Sequence, residues 1–191
     1  MQLASHTFFR QTKAMQPNLR IEIAHTDKLN PDLLATILAL CSRAYEEDLE
    51  SLFATFADTT HVLGFLGEAL ASHAMWVTRW LQPGDAPLLR TAYVEMVATE
   101  PHQQGRGFAT AVLRRLADAI SEYDLGALCP AKPRLYAKLG WVFWRGPLFI
   151  RSGERLTPTP EERIMILRLP QTPSLDLDQP LSAEWREGEL W

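Results

Sequence analysis

The stretch Tyr93-Val-Glu-Met-Val-Ala-Thr-Glu-Pro-His-Gln-Gln-Gly-Arg-Gly-Phe-Ala109 constrains this chain more than any other. The mostly apolar run Leu88–Ala98 reads as a strand, and Pro101 stops it. After the glycines, Ala109, Val112, Leu113, Leu116 and Ile120 recur at helical spacing. A strand thus runs through a glycine loop into a helix. The first turn of a helix offers unpaired N–H groups and the positive end of a dipole, and glycine lets the backbone approach an anion closely. The element is a cradle for phosphate. Two nucleotide motifs are excluded. The G-x-x-x-x-G-K-[ST] loop is absent, and Gly105-Arg-Gly107-Phe-Ala-Thr lacks the last small residue of G-x-G-x-x-G and lies mid-chain. The pattern that fits is Gln/Arg-x-x-Gly-x-Gly/Ala, filled by Gln104, Gly107 and Ala109.

The rest of the chain alternates strands and helices. Leu19, Ile21 and Ile23 alternate with polar residues as a strand does. Asn30-Pro31 reads as an N-cap and first helical residue, ahead of a face of Leu33, Leu34, Ile37, Leu38 and Cys41. A short helix over Leu49–Ala57, strands over His61–Leu66 and Ala69–Leu81, and a turn at Gln82–Asp85 follow. Leu125–Leu128 is a short strand, and Pro133–Leu139 a short helix closed by Gly140. Trp141–Ile150 and Ile164–Leu169 read as strands, with a proline-rich loop at Thr157–Pro160 between them and an irregular tail from Pro170. We expect an α/β (α+β) domain over 19–191 on a mixed sheet, preceded by a flexible extension over 1–18. At 191 residues the chain can bury a real core. The net charge of −4 argues against a nucleic-acid-binding face. Cys41 and Cys129 and five scattered histidines have no metal-ligand spacing, so no metal is expected. There is no secretory h-region and no apolar run long enough for a membrane span, so the expected compartment is the cytoplasm.

The Gln104–Ala109 signature resembles the pyrophosphate-binding motif of the GCN5-related N-acetyltransferases. Arg134-Leu-Tyr-Ala-Lys-Leu-Gly-Trp141 resembles that superfamily's later motif, in which a tyrosine sits near the coenzyme A sulfur. From Tyr93 onward the chain is similar to the aminoglycoside 2'-N-acetyltransferases in particular. The matches are Tyr-Val-Glu (93–95), Leu-Gly-Ala-Leu (125–128), Leu-Tyr-Ala (135–137), Gly140-Trp141, Gly146-Pro147, Thr157-Pro158 and the ending Trp-Arg-x-Gly-x-x-Trp (185–191). The resemblance implies a central sheet flanked by helices and splayed where acetyl-CoA inserts. The pantetheine arm would pair with Val97, Ala98 and Thr99, and the pyrophosphate would lie on Gln104, Gly105, Arg106, Gly107, Phe108 and Ala109. The resemblance allows a homodimer.

Glu95 stands out without the resemblance, because it interrupts a buried apolar strand, where a carboxylate is costly unless solvated or paired. A carboxylate acting through water could take the proton that an attacking amine must lose. The alternative is a structural glutamate paired with an arginine such as Arg90. The resemblance places the family's base at Glu95. It makes Tyr136 the acid that protonates the departing thiolate, the alternative being a tyrosine that packs its helix onto the sheet. It also places Asp48, Met96, Cys129, Glu162, Glu189 and Trp191, with the carboxylate of Trp191, around the acceptor. The chain departs from the family in three places: a family acid falls on or near Phe53, a serine-rich segment is shortened to Cys129-Pro130-Ala131, and Met96 stands where a glycine is familiar. Fewer acids imply a less cationic acceptor, and kasugamycin fits that better than the deoxystreptamine aminoglycosides; these, or another small amine or a peptide N-terminus, are the alternative acceptors.

Overall fold

The computed structural model describes residues 19–56, 58–186 and 190–191; the expected extension at 1–18 lies outside them. Strands β1 (Arg20–His25), β2 (Thr60–Leu66), β3 (Ala69–Pro83) and β4 (Leu89–Thr99) follow one another as antiparallel neighbours. Helix α1 (Pro31–Tyr45) starts as its sequence predicts, with the Asn30 side chain accepting from Leu33 N–H at 2.8 Å. It packs on β3 and β4 through Ile37, Leu40 and Cys41. Leu40 was not on the expected face, while Leu33, Leu34 and Leu38 are only half-buried. The second helix, α2, is a single turn (Glu50–Phe53). Helix α3 (Phe108–Ala119) covers the other sheet face, because Val62, Ala74, Trp76 and Val94 alternate with the residues that meet α1.

Under α1 two imidazoles are buried, His61 on β2 and His73 on β3. Burial holds both neutral, taking His61 down to about 4 and His73 to about 3. Both values lie below the ordinary value near 6.5, so the unfolded chain binds more protons than the native one as pH falls. Their contribution is complete above pH 6.5 and is lost on acidification toward pH 4 and 3. Urea unfolding at pH 7, 6 and 5 should show stability falling by up to ~1.4 kcal/mol per pH unit per histidine. His25 shifts oppositely, raised by its bonds to Asp27 and Asp58, but it stands in solvent, where screening keeps its share small.

The second half of the chain corrects three expectations. Trp141–Ile150 is not one strand: Trp144–Pro147 divides it into β6 (Val142–Phe143) and β7 (Leu148–Ser152) on different parts of the sheet. Thr157 and Pro158, expected in a loop, end β8 (Arg155–Pro158), a hairpin partner of β7. The tail from Pro170 is not wholly irregular, since Leu181–Glu184 forms β10 between β3 and β7. Leu181, Ser182 and Ala183 are all buried, so this short strand shows none of the polar alternation that marks a half-exposed one. With β5 (Leu125–Leu128) and β9 (Met165–Arg168), the ten-stranded sheet runs β6-β9-β5-β4-β3-β10-β7-β8, with β2 and β1 beside β3. One edge of β3 serves two partners, β2 along Ala69–Trp76 and β10 along Leu81–Pro83. Among the described residues, no helix is long and apolar enough to cross a membrane.

Gly146 is where the tail docks. Its N–H and that of Arg145 both donate to the Leu177 carbonyl at 2.9 Å. A Cβ at Gly146 would stand 1.9 Å from the Gln179 carbonyl oxygen, a backbone atom that cannot swing away. Gly146→Ala should therefore destabilise by about 3 kcal/mol, read as a lower denaturation midpoint with an unchanged slope.

Candidate active site

β4 carries the site. Its parallel pairing with β5 covers only Thr91, Ala92 and Tyr93. From Val94 to Thr99 no described strand continues on that edge, so backbone N–H and C=O groups are left for another extended partner. Across the other edge the β3–β4 register slips: β3 passes from His73 to Met75 while β4 passes from Ala98 to Glu95. The extra residue is a bulge, and Met96 in it has φ 51°. A side chain in this left-handed conformation costs about 1–3 kcal/mol, which the surroundings must offset. Val97, Ala98 and Thr99 follow directly. The Val97 carbonyl accepts from the Tyr45 hydroxyl at 3.4 Å, and Ala98 and Thr99 are tied to Ser72.

Beyond β4 the loop turns on Gly105 (φ 78°) and Gly107 (φ 85°), and Gly107 precedes α3 with no side-chain cap. The N–H groups of the first turn, from Phe108, have no intrahelical acceptor. Gln104 folds back to donate to the Thr99 carbonyl at 3.3 Å, and Arg106 pairs with Gln103 beside the Phe108 ring. Phe108 is buried and Ala109 half-buried, so the backbone and Arg106 face outward. Two positive-φ glycines and an uncapped helix start thus stand at the end of the open edge, an arrangement that can accept an anion.

Glu95 lies at the bulge, with its carboxylate 19% exposed and bonded at 2.7 Å to Arg79 Nη2. The partner is Arg79, not Arg90; Arg90 lies over the Tyr123 ring instead. Arg79 stands opposite Thr91 on β3, runs across the Tyr93 ring at 3.7 Å and reaches Glu95, while Nη1 donates to the Leu190 carbonyl at 2.9 Å. It is 4% exposed. Sequence reasoning missed it, although the signal was the one that exposed Glu95: Met75, Val77 and Leu81 are the other inward positions, and Arg79 is the charge among them.

Tyr136, on α4 (Pro133–Ala137), is buried and meets Trp141 edge-on. It therefore packs its helix as the structural alternative requires. Its hydroxyl is also held protonated: burial, then the charges of Glu95 and Cys129, push it up to about 12. Glu95, Tyr136 and Cys129 thus lie within one electrostatic neighbourhood. Tyr45 joins it, raised by burial and then by Tyr136, Cys41 and Glu95. Tyr45 is a second tyrosine at the open edge that the sequence reading passed over. Cys129 is exposed just past β5, and Glu162 is exposed between β8 and β9, where it and Cys129 act on the buried Tyr93. Trp191 is buried in the cluster of Val77, Tyr93 and Leu181. Asp48 is exposed and accepts from the Glu50 N–H at 3.0 Å, holding the first turn of α2. Glu189 lies outside the described residues. Arg186, also unforeseen, donates to the Thr55 carbonyl and lies close enough to Arg79 and Glu95 to interact with both.

The acetyltransferase (GNAT) domain family matches residues 26–143. An aminoglycoside 2'-N-acetyltransferase of Mycolicibacterium fortuitum is 30% identical over 182 residues, covering 88% of this chain and 90% of that protein. Among solved structures, the GNAT family N-acetyltransferase YhbS of Escherichia coli, in complex with CoA, superposes with a TM-score of 0.59 at 17% identity over 91% of this chain and 93% of its own. Eis1 of Mycobacterium abscessus gives 0.54 at 18% identity over 64% of this chain, which spans only 31% of that longer protein. The splayed mixed sheet, the glycine cradle and these likenesses agree: the chain belongs to the GNAT acetyltransferases and, within them, to the family of the aminoglycoside 2'-N-acetyltransferases.

Proposed function

We propose that this enzyme transfers an acetyl group from acetyl-CoA to the 2'-amino group of an aminoglycoside, by direct attack with both substrates bound. The observation that supports the reading is the edge of β4 left without a described strand partner beyond Tyr93, beside which Glu95 stands at the bulge and whose charge reaches the buried Tyr136 hydroxyl. The edge from Val97 to Thr99 and the cradle from Gln104 to Ala109 suit an extended amide-bearing arm ending in a pyrophosphate. Acetyl-CoA supplies the activated acyl group. Glu95, through a water, takes the proton of the amine. Backbone N–H groups along the open edge of β4 polarise the acetyl carbonyl. Tyr136, whose hydroxyl burial keeps protonated, gives its proton to the thiolate. Tyr136→Phe should lower kcat about 10- to 100-fold while acetyl-CoA affinity changes little, measured by thiol release and calorimetry.

Kasugamycin is our favoured acceptor. By the family resemblance an expected acid falls on or near Phe53, and Arg79 and Arg186 bring positive charge next to Glu95. That arrangement suits an acceptor with one amino sugar and a carboxylate better than a polycation. Thiol release with kasugamycin, gentamicin, tobramycin, neomycin and a polyamine tests it. Turnover of kasugamycin alone is expected. Efficient turnover of gentamicin or tobramycin with kasugamycin untouched overturns the choice of acceptor and leaves the chemistry in place.

A further inference from the structure

A row of buried polar side chains leads to the bulge and has no part in the chemistry proposed above. His73 Nδ1 lies 2.8 Å from the Met96 carbonyl oxygen. A carbonyl only accepts, so Nδ1 carries the proton and Nε2 is the lone-pair nitrogen. His61 Nδ1 is 2.9 Å from that Nε2 and must donate to it. His61 Nε2 then accepts in turn from the Thr59 hydroxyl at 3.0 Å, the Thr26 hydroxyl beside it at 2.9 Å donating to the Thr59 carbonyl. From the Met96 carbonyl to His61 Nε2, each polarity follows from that one carbonyl. The neutrality of both rings is what such a row requires, since a protonated His73 would offer a second N–H where His61 already donates. The Cys41 thiol, kept protonated by burial, reaches the same carbonyl at 3.9 Å.

The carbonyl at the end of the row belongs to the strained residue. Met96 is the left-handed residue of the bulge, Glu95 precedes it, and the edge Val97–Thr99 follows it. Its peptide sets how the candidate base stands relative to the strand edge. We infer that His73 is a positioning residue, which pins the Met96 carbonyl through an Nδ1–H held in place by His61 and so maintains the bulge that joins Glu95 to the open edge of β4. The kinetic side of this inference rests on the acetyl-transfer reading.

The test uses the strain itself. In the intact protein, His73→Leu removes the donor, His73→Asn keeps a donor at the position of Nδ1, and Met96→Gly lets residue 96 adopt positive φ without help. His73→Leu should lower kcat 10- to 100-fold and weaken acetyl-CoA binding several-fold. His73→Asn should stay within a few-fold of the parent. The double variant His73→Leu/Met96→Gly should regain most of what His73→Leu loses, which loss of general packing would not permit. A His73→Leu protein with unchanged kcat and acetyl-CoA Kd overturns the inference, as does a double variant no better than His73→Leu. If His73→Leu does not fold, the ring nitrogen shifts of the parent decide. A proton on Nδ1 of His73, unchanged between pH 5 and 8, supports the row, and one on Nε2 or a titration in that range overturns it. If the parent turns over none of the acceptors, the acceptor reading fails alone, and the inference is still judged by acetyl-CoA affinity and the nitrogen shifts.

Discussion

Glu95→Gln should lower kcat by about 10²–10⁴ with acetyl-CoA affinity within about twofold of the parent. The substitution is near-isosteric, and the amide oxygen can still accept from Arg79 Nη2, now at 2.7 Å from the carboxylate. What disappears is the capacity to take a proton. Steady-state thiol release with the preferred acceptor gives kcat, and calorimetry gives the affinity. A fall in kcat below threefold would remove Glu95 as the base and leave a structural carboxylate held by Arg79.

Arg79→Met should cost the most stability, about 3–5 kcal/mol, because it breaks a buried ion pair from one side. The change removes a guanidinium stacked at 3.7 Å on Tyr93, a bond to the Leu190 carbonyl and the countercharge of Glu95. Methionine matches the stem in volume, so the loss is read as electrostatic and not as a cavity. The effect should exceed that of Glu95→Gln, since the guanidinium is 3% exposed and the carboxylate 19%. Guanidinium denaturation of both variants checks the order; a loss under 1 kcal/mol for Arg79→Met would mean that neighbours replace the pair.

Much of this architecture was legible because local signals and tertiary demands agree. Asn30-Pro31 caps α1 as written, the long apolar runs of β3 and β4 show in their residues, and the glycines at 105 and 107 both take positive φ. The failures arise where burial on both sides erases periodicity or where a distant segment supplies the partner. Leu181–Glu184 carries too few residues to show a period, and its partners, β3 and β7, are remote in sequence. Trp141–Ile150 looks continuous because both halves are apolar, yet Gly146 must admit the backbone of Gln179, which breaks it. At the site, Glu95 was readable as a charge out of place in an apolar strand, whereas Tyr136 was named only through the family resemblance. Arg79 carried the same signal and was overlooked.

Because one edge of β3 is shared between β2 and β10, the sheet cannot be closed in the order in which it is synthesised. β1 to β4 are local neighbours and can zip together early, but the Arg79–Leu190 bond joins residues 111 positions apart. Such long-range pairing is slow to nucleate, because loop closure precedes the contacts that repay it. The lower edge of β3, around Leu81–Pro83, therefore stays unpaired on the ribosome until residues 181–184 emerge, and the bond from Arg79 to the Leu190 carbonyl forms later still. During that interval the nascent chain presents an open strand edge beside an apolar face, which is where chaperone binding or aggregation would compete with completion of the enzyme.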